Sequence, residues 1–311
     1  MPVVLITGGT GTVGKLLTEM LLQKGYEVSI LTRNGGKASS TVRYFSWDPG
    51  KNYIDPAAIA SADFIVHLAG AGVADQRWTK KRKQEIAGSR TKSSALIVSA
   101  LSRVPNKVQC VVSASAIGWY GSDPAGTSNT AVAPKGFDES APAYPDFLGE
   151  TCRLWEAGIT PVTQLGKRLV ILRTGIVLSN EAGAFAQFRK PLQFKIAAIL
   201  GSGRQMISWI HVDDLCNQYI YAMEHPQMAG VYNAVAPNPV NNQTLILKLA
   251  KKCRRGFYIP VYVPAFVLKA VLGEMSIEVL KSATVCADKI SAAGFTFQYP
   301  TIDLAIDRLV P

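Results

Sequence analysis

Gly8, Gly11 and Gly14, in the run Thr7-Gly8-Gly9-Thr10-Gly11-Thr12-Val13-Gly14, are the residues whose type and spacing imply chemistry most directly. They satisfy T-G-x-x-G-x-x-G, while Gly9, Gly11 and Gly14 satisfy the related G-x-G-x-x-G. Glycines so spaced allow a tight turn, a close approach of backbone to a pyrophosphate, and close contact between helix and strand. A helix opening at Thr12 and Val13 would then offer free N–H groups and a partial positive charge to phosphate oxygens. Roughly 20 residues further on, an NAD-binding chain usually carries Asp or Glu for the ribose 2′-hydroxyl. This chain has Thr32-Arg33 there, followed by Asn34-Gly35-Gly36-Lys37. A guanidinium stacks on adenine and pairs with a 2′-phosphate, so a Thr32/Arg33 pocket favours NADP(H) over NAD(H). A solvated loop position for Arg33 is the less favoured alternative.

The elements that must position this turn are legible on either side of it. Val3 to Ile6 is a continuous apolar run of the kind buried on both faces of a parallel sheet. Val13, Leu16, Leu17, Met20 and Leu21 follow at helical spacing, and Gly25 ends the pattern. Further strands are expected at Tyr26–Thr32, Val42–Ser46, Phe64–Leu68, Val108–Ser113 and Leu169–Leu172, alternating with helices, among them a long one from about Lys80 to Ser102. Right-handed crossovers would assemble these into a doubly wound α/β sheet of Rossmann type. From about Pro237 the rhythm changes to helices with short Pro-rich connections, as expected of a smaller, mostly helical lobe. Residues 1–178 plus 212–236 would form the dinucleotide-binding domain, and 179–211 plus 237–311 the substrate lobe.

With 311 residues the chain is long enough for both. No stretch has the length of a membrane span, and no basic leader precedes the opening strand, so a cytoplasmic protein without a membrane partner is expected. Five cysteines without CxxC spacing suit reduced core thiols better than disulfides or a metal site. The net charge of +11 suits anionic ligands. Lys80-Lys81-Arg82-Lys83, and Lys251-Lys252 with Arg254-Arg255, are best taken as solvated helix surface. Nothing resembles a basic stripe with interleaved aromatics, and no nucleic-acid partner is expected.

Ligands of open α/β sheets lie beyond the carboxyl ends of the strands. Leu68-Ala69-Gly70 ends one strand with small residues that let backbone lie against adenine or ribose. Ser113 to Gly121 ends the next, with serine hydroxyls directed at the nicotinamide end. Arg77-Trp78 sits on the loop after the Leu68 strand, where it could close over a substrate, and Val177 ends the strand beginning near Leu169. His211 with Asp213 and Asp214 looks like a strand end followed by N-cap aspartates, and no third metal ligand follows.

In this order the pieces resemble the extended short-chain dehydrogenase/reductase superfamily, and within it the epimerase family of YfcH type. The residues carrying the resemblance span nearly the whole chain: Thr7 to Gly14, His67 to Gly70, Arg77-Trp78-Thr79, Glu85 with Ser89-Arg90, Ser113 to Gly121, Phe147 to Glu156, Leu172 to Leu178, Gly201 to Arg204, Ser208 to Leu215 and Gly230 to Pro239. Leu272-Gly273-Glu274-Met275 and Ala293 to Thr301 look like that family's own C-terminal module. The resemblance implies that the helix bearing Glu85 and Arg90 packs beside the cofactor, with Arg90 meeting a phosphate and Glu85 a ribose hydroxyl; a solvated pair is the equal alternative. It implies that Ser115 orients substrate and that Arg204 grips a nucleotide diphosphate, against a surface position for Arg204. A homodimer would be compatible with it.

One departure matters. Short-chain dehydrogenases pair a Tyr with a Lys four residues later, the lysine lowering the tyrosine pKa towards the working pH. Here the matching segment offers Phe147 with Thr151, or Leu148 with Cys152. Tyr120 carries a phenol near Ser115, although a buried aromatic at a turn is its more ordinary role. The expectation is an NADP(H)-binding oxidoreductase or epimerase-like enzyme for a small polar substrate, with Ser115 and Tyr120 as catalytic residues. The alternative is a non-catalytic NADP(H)-binding sensor.

Overall fold

Val3–Thr7 forms β1, buried at every position, and its residues divide between two layers because side chains alternate across a strand. Val4 and Ile6 join one apolar cluster while Leu5 joins another on the opposite face. This computed structural model describes residues 1–33, 41–124, 136–181, 183–254 and 257–310. After β1 come α1 (Thr12–Gln23), β2 (Glu27–Thr32), β3 (Val42–Asp48), β4 (Tyr53–Ile54), α2 (Pro56–Ser61), β5 (Phe64–His67) and α3 (Lys80–Arg103). Next are β6 (Cys110–Ala116), α4 (Phe147–Ile159), β7 (Arg168–Thr174), β8 (Ile176–Leu178), α5 (Ala184–Arg189), β9 (Ile196–Leu200), β10 (Met206–Ile207) and β11 (Trp209–His211). The remainder is α6 (Val212–Glu224), β12 (Gly230–Ala234), β13 (Val240–Asn241), α7 (Asn242–Cys253), β14 (Ile259–Val263), α8 (Ala265–Leu272), α9 (Ser276–Leu280), α10 (Asp288–Ala292) and α11 (Ile302–Leu309).

The main sheet runs β12-β7-β6-β5-β1-β2-β3-β4, parallel except for the short β4. β1 lies between β2 and β5, so the strand order reverses there and the crevice for a ligand opens above it. Leu17 and Leu21 of α1 and Leu215 and Tyr219 of α6 cover one face; Ile59 of α2 and Ile97 and Leu101 of α3 cover the other. A third cluster gathers around Phe185, Trp209, Leu245 and Ile306, all from the segments expected to form the smaller lobe.

That lobe is less purely helical than its proline content suggests. β14 pairs in parallel with β9, even though Pro260 lies within it. The Ile259 N–H donates to the Lys195 carbonyl, so Pro260 faces away from β9, where the ladder needs no N–H. His211, rather than an aspartate, caps α6, its Nδ1 accepting from the Asp213 N–H at 3.1 Å. The fully buried Asp214 carboxylate instead accepts the N–H groups of Gln298 (2.8 Å) and Tyr299 (2.9 Å), clasping the C-terminal module to the sheet.

His67 pins the reversal point. Thr7 Oγ1 accepts the N–H groups of Leu68 and Ala69, both at 3.1 Å, and so donates its own proton to His67 Nδ1 at 2.8 Å. The ring is therefore neutral, with Nε2–H facing Ser94 Oγ at 3.1 Å. Burial, with the Arg90 charge adding to it, lowers its pKa from 6.5 to about 3. Stability contributed by the neutral ring is complete above pH 6.5 and is lost as pH falls towards about 3, because the unfolded chain binds the proton more readily. Denaturant titrations across that interval should show a steeper loss for the wild type than for His67→Gln; equal slopes would clear His67 of the effect.

Candidate functional site

A cleft of about 620 Å³ opens at the reversal point. It is lined by Gly8, Thr10 and Gly11 of the first turn, Thr32 and Arg33 after β2, Leu68 to Ala71 after β5, and Glu85, Ser89 and Lys92 of α3. The turn is built to bring backbone close. Gly8 has φ of +72°, and a Cβ on it would lie 3.0 Å from the Leu68 carbonyl carbon. A Cβ on Gly14 would meet the Gly8 carbonyl oxygen at 2.4 Å, so α1 could not pack on the turn with any side chain there. Gly11 caps α1 without a side chain, and no acidic residue stands in the first turn. The N–H groups at Thr12 and Val13 thus have no side-chain capping acceptor, although neither residue lines the cleft itself; uncapped N–H groups at a helix start suit a phosphate.

The two sides of the cleft differ. Arg33 is exposed on one wall and Lys92 on another; residues 34–40, including Gly35-Gly36-Lys37, lie outside the described residues. Trp47, Asp48, Pro49 and Gly50 also line the cleft, as does Lys92, and none of these was singled out from the sequence. Their signal was weak, since β3 carries no motif and Lys92 is one cation on a basic helix. Glu85 reaches the cleft but is paired with Arg82 at 2.8 Å. Arg90 is spent on the protein itself: Nη1 donates to the carbonyls of Ala71 (2.9 Å) and Ile86 (3.0 Å), and the guanidinium lies over Trp155. Arg82 is buried rather than solvated, because it ties Gly72 to α3.

The other proposed site residues separate into groups. Arg77 donates to the Ala270 carbonyl at 2.8 Å and Lys83 pairs with Glu274, so the loop after β5 and the start of α3 hold the C-terminal module. Trp78 packs edge-on against Phe147 and donates its indole N–H to Val73. Arg204 is exposed on the turn between β9 and β10, and no bond joins it to Arg77 or Trp78 among the described residues. Val177 is half-buried in β8, paired with Ile210.

Ser115 and Tyr120 belong to one buried network. The Ser115 hydroxyl donates to Glu156 Oε1 at 2.6 Å. Glu156 is held by Arg173 through two bonds, Nε to Oε1 at 2.8 Å and Nη2 to Oε2 at 2.9 Å. Arg173 Nη1 donates to the Tyr120 hydroxyl at 3.1 Å, which donates to Asn233 Oδ1 at 2.6 Å, and the guanidinium lies 3.6 Å from the Trp119 ring centre. Tyr120 is 0 % exposed, and burial pushes its phenol up to about 12 despite Arg173. Its hydroxyl is enclosed between β7 and β12 and is not presented to the cleft, the more ordinary of the two roles the sequence allowed. Cys152, a turn before Glu156 on α4, sits against the Ala116 carbonyl, and burial raises its thiol to about 12. It cannot substitute for the missing lysine. No group of three or more His, Cys, Asp or Glu able to hold a metal occurs among the described residues.

Removing one member of a buried ion pair strands the other charge at a cost of about 3–5 kcal/mol. Glu156→Ala should therefore lower unfolding free energy by that order, and Glu156→Gln, which keeps an acceptor, by less. Equal, small losses in both would mean that Arg173 finds water or another partner.

The first part of the chain, residues 4–142, matches the NAD dependent epimerase/dehydratase family, and residues 263–309 match a domain of unknown function (DUF1731). The chain is 34 % identical over 311 residues to the chloroplastic epimerase family protein SDR39U1 homolog of Arabidopsis thaliana, covering 98 % of this chain and 86 % of that one. It superposes on the human epimerase family protein SDR39U1, solved with NADPH, with a TM-score of 0.84, 26 % identity and 99 % coverage of both chains. A nucleoside-diphosphate sugar epimerase from Corynebacterium glutamicum gives a TM-score of 0.77 at 29 % identity, covering 100 % of this chain and 58 % of that one. The glycine turn, the strand order and the C-terminal module thus agree with the comparisons: the chain belongs to the NAD-dependent epimerase/dehydratase family, as an SDR39U1-like member carrying the DUF1731 domain.

Proposed function

We propose that this protein binds NADP(H) and uses it in an oxidoreductase or epimerase-type reaction on a small polar substrate, nucleotide-linked compounds being the first class to try. The observation that carries the cofactor choice is Arg33 at the cleft end of β2, where a carboxylate would repel a 2′-phosphate, with Lys92 as a second cation lining the same cleft. The NADPH in the human relative supports the same choice. When bound, the nicotinamide would supply or accept a hydride. Ser115 would then pass a proton between a substrate oxygen and Glu156 Oε1, with Arg173 holding that carboxylate in place. Gly70 and Ala69 would face the adenosine, and Thr12 and Val13 the pyrophosphate. Finer placement beside the YfcH-type members rests on the Leu272 to Met275 and Ala293 to Thr301 motifs.

Fluorescence titration should give an NADPH dissociation constant well below that for NADH. Arg33→Ala should weaken NADPH by about tenfold or more while leaving NADH nearly unchanged, since one charge-assisted contact to a phosphate is worth about 1.5–3 kcal/mol. Equal affinity of the wild type for both cofactors would remove the NADP(H) assignment.

The sensor alternative is favoured by one observation: the Ser115 hydroxyl already has an acceptor and Tyr120 is enclosed, so neither stands free as a proton donor. A panel of carbonyl and nucleotide-linked compounds, followed by NADPH absorbance, separates the two. Turnover that Ser115→Ala reduces at least about a hundredfold, as expected for loss of a general acid–base group, supports the enzyme. Tight NADPH binding without turnover on any member of the panel supports the sensor.

A further inference from the structure

The charge of this protein is not spread over its surface. Residues 182–212 hold four Lys or Arg and residues 225–273 hold six, and neither segment contains a single Asp or Glu. Setting those ten aside leaves 23 basic against 22 acidic residues, so these two acid-free segments carry a net +10 while the rest of the chain is nearly balanced.

The two segments meet where β14 pairs with β9. Ile196 stands beside Ile259 and Ala198 beside Val261, which places these four on one face of the two-stranded sheet. Ile259 and Val261 are exposed, and at either side of them Phe194, Phe257 and Phe266 are 76 %, 69 % and 74 % exposed. α8 is apolar except for Lys269, yet Leu268 is its one buried residue. Isolated exposed hydrophobics need no explanation, but a sheet face, three phenylalanines and a helix together do.

Cations surround this surface. A pocket of about 450 Å³ beside it is lined by Arg189, Lys190 and Arg254 with the amides of Asn180 and Gln193, and by no carboxylate. Arg254 Nε is fixed by the Leu192 carbonyl at 2.7 Å, which holds the end of α7 against the segment carrying Phe194. Lys195 and Lys269 border the apolar residues in sequence, and no carboxylate pairs with either among the described residues.

We propose that this face docks on an anionic phospholipid bilayer. The exposed Phe, Ile and Val side chains would enter the interfacial region, and the cationic pocket with its neighbouring lysines would hold the phosphate and carboxylate groups of the lipid heads. Charge complementarity selects this occupant over a second copy, since two such faces would bring their cationic borders together. Pro260 also removes an N–H from the open edge of β14, which disfavours strand-to-strand pairing. Aliphatic side chains make up much of the apolar surface, which suits acyl chains better than the stacking of bases. Such docking departs from the expectation of no membrane partner, which rested on the lack of a spanning stretch; among the described residues no helix is long and apolar enough to cross a membrane, and peripheral docking needs none.

The test is co-sedimentation of the full chain with phosphatidylcholine vesicles, with and without phosphatidylserine. Binding to the serine-containing vesicles should be at least about tenfold tighter and should weaken as salt is raised. Phe194→Ser with Phe257→Ser, and separately Lys190→Glu with Lys195→Glu, should each reduce that binding about tenfold or more while leaving thermal unfolding unchanged, since all four side chains are exposed. Equal binding to neutral vesicles, or none to either, overturns the proposal. So does retention of a single-stranded oligonucleotide without vesicle binding, or a dimer in solution that Phe194→Ser with Phe257→Ser dissociates.

Discussion

A guanidinium buried in a protein must be paired, and the pairing of Arg173 organises the region above the sheet. Arg173 comes from the carboxyl end of β7 and is 3 % exposed. Burial alone would lower its pKa, but the Glu156 bonds and charge overcome that and hold it above its ordinary value. Satisfying it requires α4 to be placed so that Glu156 reaches across, and requires Trp119 and Tyr120 to fold against β7. Through Tyr120 the same charge fixes Asn233 on β12, whose side chain also bonds the Cys286 carbonyl in the C-terminal module. One charge therefore couples three strands, the α4 helix and the C-terminal tail. Ser115 inherits its orientation from this network, since its hydroxyl has Glu156 as acceptor.

Superfamily members that use a Tyr/Lys pair place both on the helix corresponding to α4. In this chain the carboxylate of Glu156 is the ionisable group which that helix sends to the end of β6, with Cys152 as an inert neighbour. The cofactor cleft, by contrast, keeps its usual construction: glycines where a Cβ would collide, and an uncapped helix start aimed at phosphate. The part of the fold that holds a dinucleotide and the part that would move a proton are thus built by different elements. Only the second departs from the Tyr/Lys pattern of the superfamily.

The C-terminal module is held by side chains to which the sequence assigns other roles. Arg77, expected to close over a substrate, and Asp214, expected to cap a helix, are each bonded to backbone of the module. Such bonds add to the apolar contacts of the module, whose buried residues join two of the core clusters. Its backbone donors and acceptors must be met by the larger domain, and charged residues at the carboxyl ends of strands are the nearest available.

The sequence alone determined the dinucleotide turn, the strand and helix alternation, the absence of the Tyr/Lys pair and the basic residue after β2. These depend on local rules: glycine conformations, the periodicity of apolar residues, and chemistry at a fixed distance from a motif. The tertiary structure decided the rest, because it concerns partners far apart in the chain. Arg90 could have met a phosphate, but the Ala71 carbonyl, 19 residues away, accepts a hydrogen bond from its Nη1. Tyr120 could have faced a substrate until Asn233, 113 residues away, enclosed it. Lys92 and the residues Trp47 to Gly50 line the cleft only because the fold brings α3 and the end of β3 to the same opening. A polar side chain is assigned to ligand or to fold by which groups surround it, and spacing along the chain does not carry that information.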